Sequence, residues 1–406
     1  MHNIEFIPGG ITAAPGFKAS GVHCGIRRNK NKRDLALIAA DGPCAAAAVC
    51  TTNQVKAAPV HLTVEHLKDG QARAILVNSG NANACAPGGM EAAKECVAAA
   101  AVALGIKPED IIVNSTGVIG QRLPVDVIVG AIPELVGTLS TDSGPAAEAI
   151  MTTDTFSKSA AVRCVIGGKT VTIGGIAKGS GMIHPNMATM LSFLTTDCAI
   201  SSALLKEAMQ DSANRTYNRI SVDGDTSTND MCAILASGTA GNAAITEKGP
   251  DYEAFLAALN AVNLHLAKEI ARDGEGATKL ITCRVSGTAL EETAVVLAKS
   301  VITSSLVKSM MFGADANIGR VLCAMGYSGA AFDATAVDVS FSSSSGCVTV
   351  CQQGLGLAFD EELAKAVLSQ SEVTIEITLK DGDAAAEAYG CDLTYDYVKI
   401  NGDYRS

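Results

Sequence analysis

Short apolar runs and longer amphipathic stretches alternate along this chain. Residues 35–40 and 74–77 are apolar and bounded by polar or turn residues, which predicts buried strands. Residues 91–104 are Ala-rich and predict a helix stopped by Gly105. Residues 160–166 and 170–176 flank Gly167-Gly168 and predict a tight hairpin, since both central residues can take positive φ. In the second half, residues 202–213 begin with a serine, Ser202, suited to capping. Residues 252–271 place Phe255, Leu259, Val262, Leu266 and Ile270 at helical spacing and stop before Gly274. Further helices are predicted over 299–311 and 361–369. Strands are predicted over 111–113, 294–297, 337–341, 347–351 and 373–379, the last with Val373, Ile375, Ile377 and Leu379 on one side. The mixture predicts an α/β protein, with the glycine-rich stretch 167–181 as its best internal punctuation.

Composition sharpens this in a few respects. Hydrophobic residues make up 48% of the 406 and charged residues 18%, enough apolar surface for a substantial core. Aromatics are 4% and Trp is absent, so Ala, Val, Ile and Leu must fill that core. The net charge of −11 carries no basic footprint for a phosphate backbone, so nucleic acid is not an expected partner. The basic run from Arg27 to Arg33 reads as a solvated loop between strands. The 13 cysteines are odd in number, without paired spacing. Cys96, Cys164, Cys232 and Cys323 read as small buried hydrophobes in a reducing compartment. Residues 1–8 lack a basic region followed by an apolar run, and no stretch approaches bilayer length. No membrane is therefore expected, and the location expected is the cytoplasm.

The chemistry concentrates at Lys178-Gly179-Ser180-Gly181-Met182-Ile183-His184-Pro185-Asn186-Met187-Ala188-Thr189. Glycines allow close backbone approach, and small Ala188 precedes a hydroxyl. If Thr189 Oγ attacked the carbonyl of Ala188, the peptide would become an ester that water cleaves. The new terminus would carry an amine beside its own hydroxyl, and an α-amino pKa of roughly 7.7–8.0 suits a general base.

This segment resembles the self-cleavage site of the glutamate N-acetyltransferase/ornithine acetyltransferase family of arginine biosynthesis. The resemblance runs through residues 78–85, Asn114-Ser115-Thr116-Gly117-Val118-Ile119-Gly120, Met151-Thr152-Thr153-Asp154-Thr155, residues 221–230, Asp273-Gly274-Glu275-Gly276-Ala277-Thr278-Lys279 and the ending Asn401-Gly402-Asp403-Tyr404-Arg405-Ser406. It implies a two-lobed, self-processing ornithine acetyltransferase-like α/β fold. An alpha chain would span 1–188 and a beta chain 189–406, cut between Ala188 and Thr189 and assembled as a heterotetramer. It implies acetyl transfer from N-acetylornithine to glutamate by a ping-pong route through acetyl-Thr189. Thr116 and Gly117 would form the oxyanion pair. Thr152, Lys178, Thr189, Glu275, Asn401 and Ser406 would bind substrate, with Thr152 preferred but Thr153 left open.

No cofactor is implied, and acetyl-CoA stays open as a co-substrate. No metal is expected: the Asp223–Asn229 stretch has alternating oxygen ligands but Thr228 and Ile234 where a calcium loop wants Gly and Glu. It reads instead as a hydrogen-bonded structural loop. His184 reads as a bystander. Two alternatives stay in view: a self-processing aminopeptidase of the same fold, and a non-catalytic binding protein.

Overall fold

A computed structural model describes residues 3–184 and 190–403. Its strands are β1 (Glu5–Ile7), β2 (Phe17–Val22), β3 (Leu35–Cys50), β4 (Gln71–Asn81), β5 (Ile111–Val118), β6 (Lys158–Ile166), β7 (Lys169–Lys178), β8 (Leu191–Thr196), β9 (Ile220–Ser221), β10 (Met231–Ala236), β11 (Leu280–Thr288), β12 (Asp338–Ser343), β13 (Gly346–Gln352), β14 (Leu355–Gly356), β15 (Glu372–Thr378) and β16 (Ala384–Cys391). The helices are α1 (Ala58–His66), α2 (Gly89–Leu104), α3 (Val125–Gly137), α4 (Gly144–Ala149), α5 (Ser202–Arg215), α6 (Pro250–Arg272), α7 (Glu291–Thr303), α8 (Ser305–Gly313), α9 (Ile318–Gly326), α10 (Glu361–Leu368) and α11 (Tyr395–Asp403).

The strands form two sheets, and the α/β expectation holds. In the first, nine strands run β1-β6-β7-β8-β10-β3-β4-β5, with β2 also paired to β3. β8 and β10 are parallel, with Met231 opposite Leu191, and they insert between β7 and β3. Strands from both sides of residues 185–189 therefore share one sheet. Helices α5 and α6 bury Leu205, Met209, Phe255, Leu259 and Leu266 against one face of it. Helices α2 and α3 pack Val97, Ile128 and Leu135 beside β4 and β5. The second sheet, β14-β13-β12-β15-β11-β16-β9, has its own core, where α7 to α10 close over Val285, Phe341 and Ile375.

The local reading holds where pattern and packing agree. The Gly167-Gly168 hairpin joins β6 to β7, α2 stops at Gly105, and Val373, Ile375, Ile377 and Leu379 are all buried. Other expectations need correction. The helix at 202 is capped by Ser201, whose side chain accepts from Leu204 N. Residues 294–297 are helical within α7, not a strand, since their apolar side chains continue a helical stripe into the second core. The helix expected over 299–311 is two, broken at Ser304, whose hydroxyl caps α8 by accepting from Val307 N. β3 runs ten residues further than the apolar run suggested, because β10 pairs with Ala45–Cys50 despite alanine's weak strand preference. Cys323 is exposed, whereas Cys96, Cys164 and Cys232 are buried as expected. Within the glycine-rich stretch 167–181, Gly167-Gly168 form the turn between β6 and β7, and residues 169–178 are β7 itself, inside the nine-stranded sheet. The basic run is a loop between β2 and β3, though Arg27 and Arg33 are half-buried and bond to Thr152 O and Gly21 O. Among the described residues no single helix is long and apolar enough to cross a membrane.

Candidate active site

A cavity of about 210 Å³ opens where the ends of β5, β7 and β8 meet α11 and the loop before β10. Six of the residues singled out from sequence line it: Thr116, Gly117, Thr152, Lys178, Glu275 and Asn401. Thr153 lines it as well, so the choice between the two threonines stays open. Ala188, Thr189 and Ser406 lie outside the described residues. Met190 and Leu191, which follow Thr189, are in the cavity wall.

Thr116 and Gly117 sit in β5, not in a turn after it. The strand extends to Val118 because Asn78–Asn81 of β4 pair with it in parallel. Gly117 has φ +131°, a conformation that side chains avoid, and a Cβ there would meet Gly80 C at 2.4 Å. No other residue lets β5 approach β4 this closely. Behind it, a buried amide network fixes the strand: Asn229 Nδ2 donates to Ala82 O at 2.6 Å and to Ser115 O at 2.8 Å.

Lys178 is the last residue of β7, and its Nζ donates to Thr116 Oγ1 at 3.1 Å. That bond takes a lone pair of the hydroxyl and leaves its proton free to be donated into the cavity. Lys178 is 8% exposed, far from the solvated surface position that an isolated lysine would suggest. Burial pushes its ammonium below the usual lysine range, while Asp154 and Asp230 nearby oppose that shift.

Asp154 anchors the approach to the cavity. It is fully buried, which alone would raise its pKa, yet Lys158 and Lys178 hold the carboxyl down at about 2. It accepts from Lys158 Nζ at 2.8 Å, Gly179 N at 2.7 Å and Thr152 N at 2.9 Å. Lys158 also bonds Asp273 at 2.5 Å, and Asp273 receives the hydroxyl of Thr155. One buried charge network thus positions Thr152, Gly179 and, through Asp273, the Glu275 segment.

Glu275 is buried, and Asn401 Nδ2 donates to its Oε2 at 2.7 Å. Gly181 makes this possible, since a Cβ there would lie 2.4 Å from the Glu275 carboxyl carbon. Chain ends usually fray, yet α11 carries Asn401 back to the cavity, where it meets Glu275. The Asp223 loop is the hydrogen-bonded structural loop expected: its carboxylate accepts from Met182 N at 2.6 Å and Ile183 N at 2.8 Å. These bonds hold Met182 at φ +58°, a strained value for a side chain. His184 Nδ1 lies 3.1 Å from Ser221 Oγ, and burial lowers its pKa to about 4. Among the described residues no cluster of His, Cys, Asp or Glu could hold a metal.

Sequence reasoning missed Asp154, Lys158 and Asp230 as contributors. For Asp154 and Asp230 the signal was a charge inside a motif otherwise made of small or polar residues; Lys158 lay outside the motifs.

Comparison with known proteins gives the family. The sequence model of the ArgJ family matches residues 18–406. The chain belongs to the ArgJ family. It is 54% identical over 406 residues to the arginine biosynthesis bifunctional protein ArgJ of Symbiobacterium thermophilum, covering 99% of this chain and 100% of that one. Among solved structures, an arginine biosynthesis bifunctional protein argJ from Bacillus halodurans is 44% identical at a TM-score of 0.48, covering 52% of this chain and 97% of that one. An ornithine acetyltransferase complexed with ornithine from Mycobacterium tuberculosis is 39% identical at a TM-score of 0.43, covering 46% and 100%.

Proposed function

We propose that this ArgJ-family chain is an acetyltransferase that moves the acetyl group of N2-acetyl-L-ornithine to L-glutamate through an acetyl-Thr189 intermediate. The observation that carries the reading is the gathering of Thr116, Gly117, Thr152, Lys178, Glu275 and Asn401 around one cavity from five separate parts of the chain. The precursor cuts itself between Ala188 and Thr189, giving chains 1–188 and 189–406 that assemble as a heterotetramer in the cytoplasm. Shared strands between the two segments support cleavage after folding rather than before it.

In the first half-reaction the Thr189 α-amine takes the Oγ proton and Oγ attacks the acetyl carbonyl. The Thr116 hydroxyl and the Gly117 N–H stabilise the oxyanion, each donor lowering the barrier by about 3–4 kcal/mol. Lys178 supports this by donating a hydrogen bond to Thr116 Oγ1, which leaves the hydroxyl's own proton to point at the oxyanion. Glu275, held by Asn401, meets the cationic amine of ornithine. Glutamate then takes the acetyl group. The relatives' description as bifunctional supports acetyl-CoA as a second donor.

The test is an assay of purified protein with glutamate, comparing N-acetylornithine and acetyl-CoA as donors, with free acetate measured beside the transfer product. Thr189→Ala abolishes both chain cleavage and transfer. Cleavage persisting in that variant sinks the mechanism. Release of acetate or amino acids without transfer would point to the self-processing aminopeptidase alternative, and an intact, inactive chain to a binding protein.

A further inference from the structure

Asp230 stands out among the polar residues of the cavity wall because half of its carboxyl has no partner among the described residues. It is 2% exposed, and its Oδ2 makes no hydrogen bond among the described residues. Ser227 engages the other side of the carboxyl. A buried polar oxygen left unpaired costs about 1–3 kcal/mol, so such an atom calls for an explanation. Its backbone is fixed, with Thr51 N donating to Asp230 O at 3.0 Å and the next residue, Met231, donating to Met190 O at 3.0 Å. The parallel register of β8 and β10 therefore sets Asp230 level with the chain just before Leu191, in the wall shared with Thr116 and Lys178.

Resting on the acetyl-transfer reading, we propose that Asp230 is the acid–base residue for the amine side of the reaction: it protonates the departing amine nitrogen and takes a proton from the arriving one. When the tetrahedral adduct collapses, the C–N bond breaks and nitrogen receives the Asp230 proton, leaving as a neutral amine. Asp230, now a carboxylate, regains a proton from the Thr189 α-amine, which had taken it from the attacking hydroxyl. In the second half the steps reverse. Asp230 first hands its proton to the Thr189 α-amine; the arriving neutral amine then forms the new C–N bond and passes a proton to the Asp230 carboxylate, and the Thr189 ammonium returns its proton to Oγ as the ester bond breaks. No proton is gained or lost over the cycle.

The surroundings suit that role. Burial pushes the Asp230 carboxyl well above the usual carboxylate range, with Ser227 and Lys178 opposing it, a shift that favours the protonated form. Lys178 faces it from β7 and Cys50 from β3, while Glu275, Asp223 and Asp225 share the cavity wall. Burial raises the Cys50 thiol to about 12, so that thiol stays neutral through the working range.

Asp230→Asn keeps the volume and the Ser227 contact but cannot exchange the proton. With N-acetylornithine its kcat falls about a hundred-fold or more, with KM little changed. With p-nitrophenyl acetate, whose leaving group departs as a stable anion, acetylation of the protein stays within about two-fold of wild type on the same grounds. A variant that loses equally with both donors, or with neither, overturns the assignment. If the variant fails to fold or to cleave, wild-type pH profiles decide. Transfer from N-acetylornithine then falls on the alkaline side, as Asp230 loses its proton, with no matching limb for the ester. Identical profiles overturn it. A wild-type protein that takes no acetyl group from either donor overturns the acetyl-transfer reading and this inference together. A wild type that is acetylated beside an indifferent D230N overturns this inference alone.

Discussion

On the seven-stranded sheet, Arg284 of β11 reaches Glu376 at 3.2 Å and Glu387 at 2.6 Å, all three partly in solvent. Beside the cavity, Lys158 reaches Asp154 at 2.8 Å and Asp273 at 2.5 Å with almost no exposure. The chemical types are the same, and the settings are opposite. On the second sheet the charges decorate the outside of an apolar core of Val285, Phe341 and Ile375. At the cavity they are the framework itself, and each carboxylate also accepts backbone N–H groups of loops that carry site residues. Exposed pairs are screened and contribute little. A buried network is costly to assemble and costlier to break. Its use here is positional: it holds Thr152, Gly179 and the segment around Glu275 in one arrangement.

The largest effect expected from this contrast is on Lys158. Lys158→Met leaves Asp154 and Asp273 buried without their shared cation and destabilises the protein by about 3–5 kcal/mol, read by denaturant unfolding. A loss under about 1 kcal/mol would place this network with the surface pairs. Next comes Gly181→Ala. Its new Cβ meets the movable end of Glu275, so stability changes little. Transfer activity falls roughly a hundred-fold as the carboxylate is pushed from Asn401. Unchanged kcat/KM with N-acetylornithine would separate Glu275 from the reaction.

A third test uses pH. Asp154 has its folded pKa depressed to about 2, so its contribution is complete above the unfolded value of 3.8 and is lost as pH falls through the folded one. Unfolding of wild type should therefore steepen between those values, and the Lys158→Met protein should lose most of that dependence. The smallest effect is Arg284→Ala on the second sheet, about 0.2–1 kcal/mol and weaker in high salt. A loss as large as that of Lys158→Met would erase the distinction between the two regions.

How much of this was legible beforehand depended on whether a signal was local. Periodicity located α2, α6 and β15, because burial repeats at the period of the element itself. It misread 294–297, where a short apolar run fits a strand as well as a buried helix segment. It stopped β3 at Ala40, since nothing nearby announces that β10, nearly two hundred residues on, will pair with an alanine run. The candidate site was legible as a set of motifs through family resemblance. Thr116, Lys178 and Glu275 carry no spacing that would unite them.

By itself the sequence determined the α/β class, the small-residue cores and the turn at Gly167-Gly168, for these follow from side-chain size, apolar period and backbone freedom. It also determined the Asp223 loop, whose short polar side chains bond the nearby backbone. Only the tertiary structure decided that β8 and β10 would lie between β7 and β3, that Lys178 would turn to Thr116, and that Asn401 would reach Glu275. It alone left one oxygen of Asp230 unpaired among the described residues of the cavity wall. Those outcomes depend on pairings between residues far apart in the chain, and the strength of each charge there is set by how completely water is excluded around it.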